Sequence, residues 1–110
     1  MNRAFFIGRL TSDAVTRYST DNKPVVRFRL AVSRRNPREN EPEADFFSCV
    51  AFGRTAERMD KCHIAKGTKL YVDGEMRTDE YKDRDGNKRR EYELAVRDFE
   101  FMESRKRDGD

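Results

Sequence analysis

Between Asp45 and Gly53 the chain reads DFFSCVAFG, three phenylalanines and a cysteine in nine residues of a sequence that is 41% charged. If this run is a strand, alternation sets Phe46, Ser48, Val50 and Phe52 on one face and Phe47, Cys49 and Ala51 on the other. The second set, with its small Cys and Ala, suits a tight barrel interior or an interface. The first set is unusual for a solvent face. Phe46 and Phe52 would lie about 20 Å apart along it. That is the spacing of a platform on which separated bases of an extended strand stack, each contributing about 1–3 kcal/mol. Phenylalanine on both faces is also what a strand buried on both sides would carry. Arg27 and Arg29 on the preceding run, and Arg34, Arg35 and Arg38 beyond it, would suit phosphates; such charges equally describe a solvated face.

Catalytic chemistry finds little support. A hydrolase or small nuclease needs clustered carboxylates for metal, or a nucleophile beside a base. The chain has one histidine, His63, and reads as structural there; its acidic residues are scattered among basic ones. Cys49 and Cys62 make no CxxC or other metal-ligand pattern and read as reduced thiols. No enzyme, cofactor or metal is expected.

Length and composition set the frame. The 110 residues fit one domain. Mean hydropathy is −1.05, but Lys+Arg (24) and Asp+Glu (21) nearly cancel to a net +3 and the apolar residues recur periodically. A folded domain with a heavily charged surface is expected, not a disordered chain. A pI near 9.0 is compatible with nucleic acid without establishing it. The apolar N-terminal run is too short for a signal peptide, no stretch approaches a membrane span, and a cytoplasmic location follows by default.

The elements that would position these residues follow from period and punctuation. NRAFFIGRLT (2–11) is a first strand, ending in the turn-like TSDA. Residues 25–34 alternate, with Val26, Phe28, Leu30 and Val32 facing one way and Arg27, Arg29, Ala31 and Ser33 the other. Residues 35–44 hold two prolines and no apolar run, a loop. DFFSCVAFG is the third strand. A helix spans 54–67, with Ala56, Met59 and His63 on one stripe, Cys62 and Ala65 beside it, and Gly67 at the C-cap. Residues 68–81 form a fourth strand whose Asp73-Gly74 reads as a bulge or bend, and 82–88 a hairpin tip of the Asp-Gly kind. Residues 90–102 form the fifth strand. This string predicts a mainly β, five-stranded Greek-key barrel, the OB-fold, with one short helix between strands three and four. An SH3-like barrel or an open α+β sheet shares the same string.

The sequence also resembles the bacterial single-stranded DNA-binding proteins, from Met1 to about Met102. The resemblance rests on MNRAFFIGRLTSD at the start, RYS (17–19), RFRLAVSR (27–34), ADFFSCVAFGRTAE (44–57), KGTKLYVDGEMRT (66–78) and the DGNKR hairpin (85–89), all in order. It implies an OB-fold domain over residues 1–103, a polar flexible end over 104–110, and sequence-independent binding and protection of single-stranded DNA in replication, recombination and repair. It implies a homo-oligomer, tetramer or dimer, in the cytoplasm with the nucleoid. By position Phe46, Phe52 and Tyr81 match the family's stacking aromatics, with Phe47 at the core or a subunit interface. Arg3, Arg9, Arg27, Arg29, Arg34, Arg35, Arg54 and Arg77, with Lys82, Arg84 and Lys88 on the hairpin, would guide the phosphate backbone. An OB module for RNA or a primosome-type adaptor is the alternative, since stacking does not distinguish sugars; a module whose aromatic strand pairs with protein is another.

Three departures from the family pattern matter. The family often stacks on tryptophan, and this chain has none. An aromatic common in the loop after strand two is replaced near Asn36. Smaller rings imply weaker stacking and a larger electrostatic share of binding. The family normally ends in a Gly/Gln/Pro-rich linker and an acidic, hydrophobic-tipped tail that recruits replication and repair proteins. Here the sequence reads RKRDGD, and no tail-mediated partner is carried over.

Overall fold

The barrel closes because its first and third strands meet at their ends. In the computed structural model, which describes residues 1–103, β1 (Ala4–Leu10) pairs antiparallel with β5 (Lys69–Lys82) from Ala4↔Gly74 to Arg9↔Lys69. Its last residues also pair with β3 (Pro24–Ser33), at Arg9↔Ala31 and Leu10↔Leu30. β3 pairs with β4 (Ala44–Ala51), β4 runs parallel to β6 (Lys88–Phe101), and β6 returns antiparallel to β5. The ring β1-β5-β6-β4-β3 is a closed five-stranded OB barrel. A sixth strand, β2 (Val15–Tyr18), continues along the edge of β3 that β1 has left, from Val15↔Arg27 to Tyr18↔Pro24. The sequence reading did not register it: four residues, none of them buried, leave no apolar period to detect.

Alternation in β3 is as expected, with Val26, Phe28 and Leu30 buried and Arg27 and Arg29 exposed. The inward side chains meet Leu10, Cys49, Ala51, Leu70, Val72, Leu94, Val96 and Phe99 in one apolar core. In β4, however, Val50 is buried although its parity places it with Phe46 and Ser48. Its register neighbours, Arg27 on β3 and Ala95 on β6, flank it from both sides.

The helix α1 (Gly53–Cys62) packs Ala56 and Met59 into the core and anchors to β6 through the Thr55 hydroxyl, which donates to the Arg97 carbonyl at 2.8 Å. It stops earlier than the sequence suggests. His63, not Gly67, is the left-handed C-cap (φ 48°, ψ 66°), its N–H donating to the Asp60 carbonyl. The expected stripe holds at Ala56 and Met59, with Cys62 packed beside them, and ends there: His63 and Ala65 are exposed, and Ile64 is buried. Gly67 instead forms the turn into β5, its N–H bonded to the Leu10 carbonyl. Asp60 ties β2 to the helix by accepting from the Tyr18 hydroxyl at 2.9 Å. Thr16 and Tyr18 together hold its carboxyl below the usual carboxylate range.

The Asp73-Gly74 bulge is present: Asp73 pairs with Asp98 but Gly74 with Val96, leaving Arg97 as the extra residue. That residue reaches back, and with the Tyr71 hydroxyl it satisfies Asp73, the one buried charged side chain among the described residues. Beyond the bulge the two long strands leave the barrel. From Arg77 to Tyr92 every described side chain except Asp83 is exposed, so β5 and β6 form a projecting arm. Its tip is organised by Asp83, which accepts from the backbone of Asp85 and Asn87 and from Arg89. These bonds hold Asp83 below the usual carboxylate range. The expected polar end over 104–110 lies outside the described residues.

Candidate nucleic-acid interface

The strand that carries Phe46 and Phe52 ends abruptly, and that ending sets their exposure. Phe52 is the N-cap of α1, still extended (φ −128°, ψ 167°), and Gly53 turns the chain with φ +58°. This left-handed region costs most residues about 1–2 kcal/mol and glycine almost nothing. The sharp corner leaves Phe52 47% exposed, while Phe46 is 53% exposed on the same strand. Phe47, on the opposite face, stacks on Phe6 with ring centroids 4.2 Å apart, and Phe6 packs against the core. Within this chain the strand is packed on the Phe47 face, and on the other face only Val50 is buried. One face is packed and the other presents rings.

Arg29 lies over the Phe46 ring, its guanidinium carbon 5.2 Å from the centroid. Register then extends the outer face across the barrel: Arg29 on β3 neighbours Ser48, Ser48 neighbours Glu93, and Glu93 neighbours Arg77 on β5. Tyr81, 46% exposed, sits on the arm opposite Arg89, and Lys82, Arg84 and Lys88 surround the tip, all exposed. Arg34 closes the 34–43 loop by donating to Asp45 at 2.8 Å and to Glu41 at 3.3 Å, and its own charge is thereby further stabilised. Arg35 beside it is exposed.

The remaining candidates are placed differently. Arg3 lies over Phe5, which stacks loosely on Tyr71, so it belongs to the β1–β5 pair. Arg9 donates to the Gly67 carbonyl and pairs with Glu103. Arg54 is exposed in the first turn of α1. Arg27 is held by Glu93 at 2.5 Å. Three of the eleven basic candidates, Arg9, Arg27 and Arg34, thus already have a carboxylate partner.

Beside the Phe46 face lies an open groove of about 590 Å³, whose wall includes Arg17, Arg27, Arg29, Ser48 and Tyr92. The sequence reading did not single out Arg17 or Tyr92. Tyr92 shares the parity of the buried Leu94 and Val96, and only the length of the arm, which carries it past the core, reveals it as exposed. Among the described residues no cluster of His, Cys, Asp and Glu is placed to hold a metal ion.

A closed five-stranded barrel with exposed rings and arginine on its β3–β4 face defines an OB-fold of the kind that binds extended oligomers. The chain matches the single-strand binding protein family over residues 1–102 and belongs to that family. It is 41% identical to a single-stranded DNA-binding protein of Clostridium perfringens over 105 residues, covering 94% of this chain and 67% of that protein. It is 38% identical to single-stranded DNA-binding protein 2 of Listeria monocytogenes, covering 94% of this chain and 64% of that one. A Thermotoga maritima single-stranded DNA-binding protein is also 38% identical, over 93% of this chain and 74% of its own length.

Proposed function

We propose that this chain binds single-stranded DNA without sequence preference and without catalysis, stacking bases on Phe46, Phe52 and Tyr81. Phosphates would be guided by arginines and lysines of β3, the 34–43 loop and the arm. The observation that carries the reading is the half-exposed Phe46 with Arg29 over its ring, on the outer face of β4. A ring capped by a guanidinium offers a base a π-surface and its phosphate a cation within one nucleotide's reach. Membership of the single-strand binding protein family and the names of its relatives support the same ligand. On this reading the protein protects single strands in replication, recombination and repair. It acts as a homo-oligomer, tetramer or dimer, in the cytoplasm with the nucleoid, and residues 1–103 are its binding domain.

The test is a fluorescence-anisotropy titration of labelled oligo-dT at two salt concentrations, with duplex DNA and oligo-U as competitors. Tight, salt-weakened binding that duplex cannot compete is expected. Equal competition by duplex would remove the single-strand platform, and equal affinity for oligo-U would make the module one for RNA as well.

A further inference from the structure

The groove beside Phe46 has features that a phosphate track does not need. Its wall holds Tyr92, 59% exposed and the most exposed aromatic ring among the described residues. Its floor is apolar, with Phe28 and Val15. Its volume falls within the range of small-ligand sites, about 300–1,000 Å³, which accommodates a nucleoside. The formal charges of the wall balance, Arg17, Arg27 and Arg29 against Asp13, Glu91 and Glu93. Arg27 is committed to Glu93, and Glu91, also in the wall, has no partner among the described residues. A neutral base entering this space keeps that balance, whereas a phosphate would add an uncompensated negative charge. The groove is also continuous with the proposed interface, because Arg29 both lines it and lies over the Phe46 ring.

From these observations we infer that the groove is a further base-stacking subsite: a nucleobase of single-stranded DNA inserts against Tyr92 while its phosphate passes over Arg29 on the way from Phe46. The inference rests on the single-strand reading above. It adds an aromatic to a chain that lacks tryptophan, and it gives Glu93 a role as a positioning residue that keeps Arg27 from drawing the backbone into the groove.

The absence of tryptophan supplies the experiment. Tyr92→Trp places a single reporter in the groove and Phe46→Trp places one on the β4 face; each is titrated with oligo-dT. Quenching of both reporters at saturation is expected. Tyr92→Ala is expected to weaken oligo-dT binding by about 5- to 150-fold, with Tyr92→Phe close to the parent, since the ring and not the hydroxyl carries the contact. Quenching at Phe46→Trp with none at Tyr92→Trp would overturn the groove and leave the single-strand reading standing. Quenching at neither would overturn both. A Tyr92→Ala variant that binds as the parent does, or that changes sedimentation behaviour instead of affinity, would assign the groove to something other than DNA.

Discussion

Single side chains divide sharply by what surrounds them. Phe52 is half exposed at a strand end, so removing its ring takes little from the core. Phe52→Ala is expected to cost about 1–3 kcal/mol of oligo-dT binding with the melting temperature nearly unchanged. A variant that melts early yet binds normally when folded would move Phe52 from the platform to the core. Cys49, three residues away, is the opposite case. It is 1% exposed, and burial, helped by the charge of Glu93, pushes its thiol from 9.0 up to about 12. The folded protein therefore favours the protonated thiol more than the unfolded chain does. The stabilisation is complete below pH 9 and is lost as pH rises towards 12. Urea melts between pH 8 and 11 should show the parent losing stability more steeply than Cys49→Ala; parallel profiles would show that the thiol does not couple to folding.

Two elements owe their geometry to glycine, for different reasons. At Gly53 an added Cβ would meet nothing within 4 Å, so Gly53→Ala is charged only for its positive φ, about 1–2 kcal/mol. At Gly74 an added Cβ would sit 2.0 Å from the Ala95 carbonyl oxygen, inside the β5–β6 ladder. Gly74→Ala is expected to destabilise the fold more than Gly53→Ala, with the arm's amides losing hydrogen-exchange protection first; the reverse order in thermal melts would refute the steric account. The same elements show what was legible in the sequence. Long alternating runs, the Asp-Gly tip and the Asp73-Gly74 bulge could be read because side-chain period and turn chemistry are local. The helix end could not. A histidine took the left-handed cap, a role that glycine usually fills, and a second glycine downstream served a different turn. β2 was invisible because it has no buried residue; its support is the neighbouring β3 edge, which has no apolar signature on the β2 side, and the hydroxyl bond to Asp60, distant in sequence. Phe46 and Phe52 were found by parity, while Tyr92 was hidden by the same rule, because parity does not say where the barrel ends.

Across the whole molecule, charge is plentiful and only in part answered from within. A net charge of +3 arises from 24 basic and 21 acidic residues, and the described surface shows the consequence in ion pairs. Arg58 pairs with Asp98, Arg89 with Asp83, Arg90 with Glu80, and Arg97 with Asp73. Apart from Arg97–Asp73, whose carboxylate is buried, such exposed pairs add little stability, about 0–1 kcal/mol each, but they decide which cations are free for a phosphate. A phosphate that approaches Arg27 or Arg34 must displace Glu93 or Asp45, an anion already in contact, and the exchange releases no counterion. The salt dependence of binding should therefore report only cations without a carboxylate partner. At about −0.7 per phosphate on single strands, eleven contacts would give a log–log slope near −8 for each protomer engaged, and the eight with no carboxylate partner among the described residues at most about −6. Titrations of oligo-dT across a salt series, divided by the measured stoichiometry, should fall at or below the smaller magnitude. Glu93→Gln, which frees Arg27, should then steepen the slope by about 0.7. A parent slope near −8, or no change in the variant, would mean that the ion pairs open on binding at no cost and that the carboxylates do not filter the arginines.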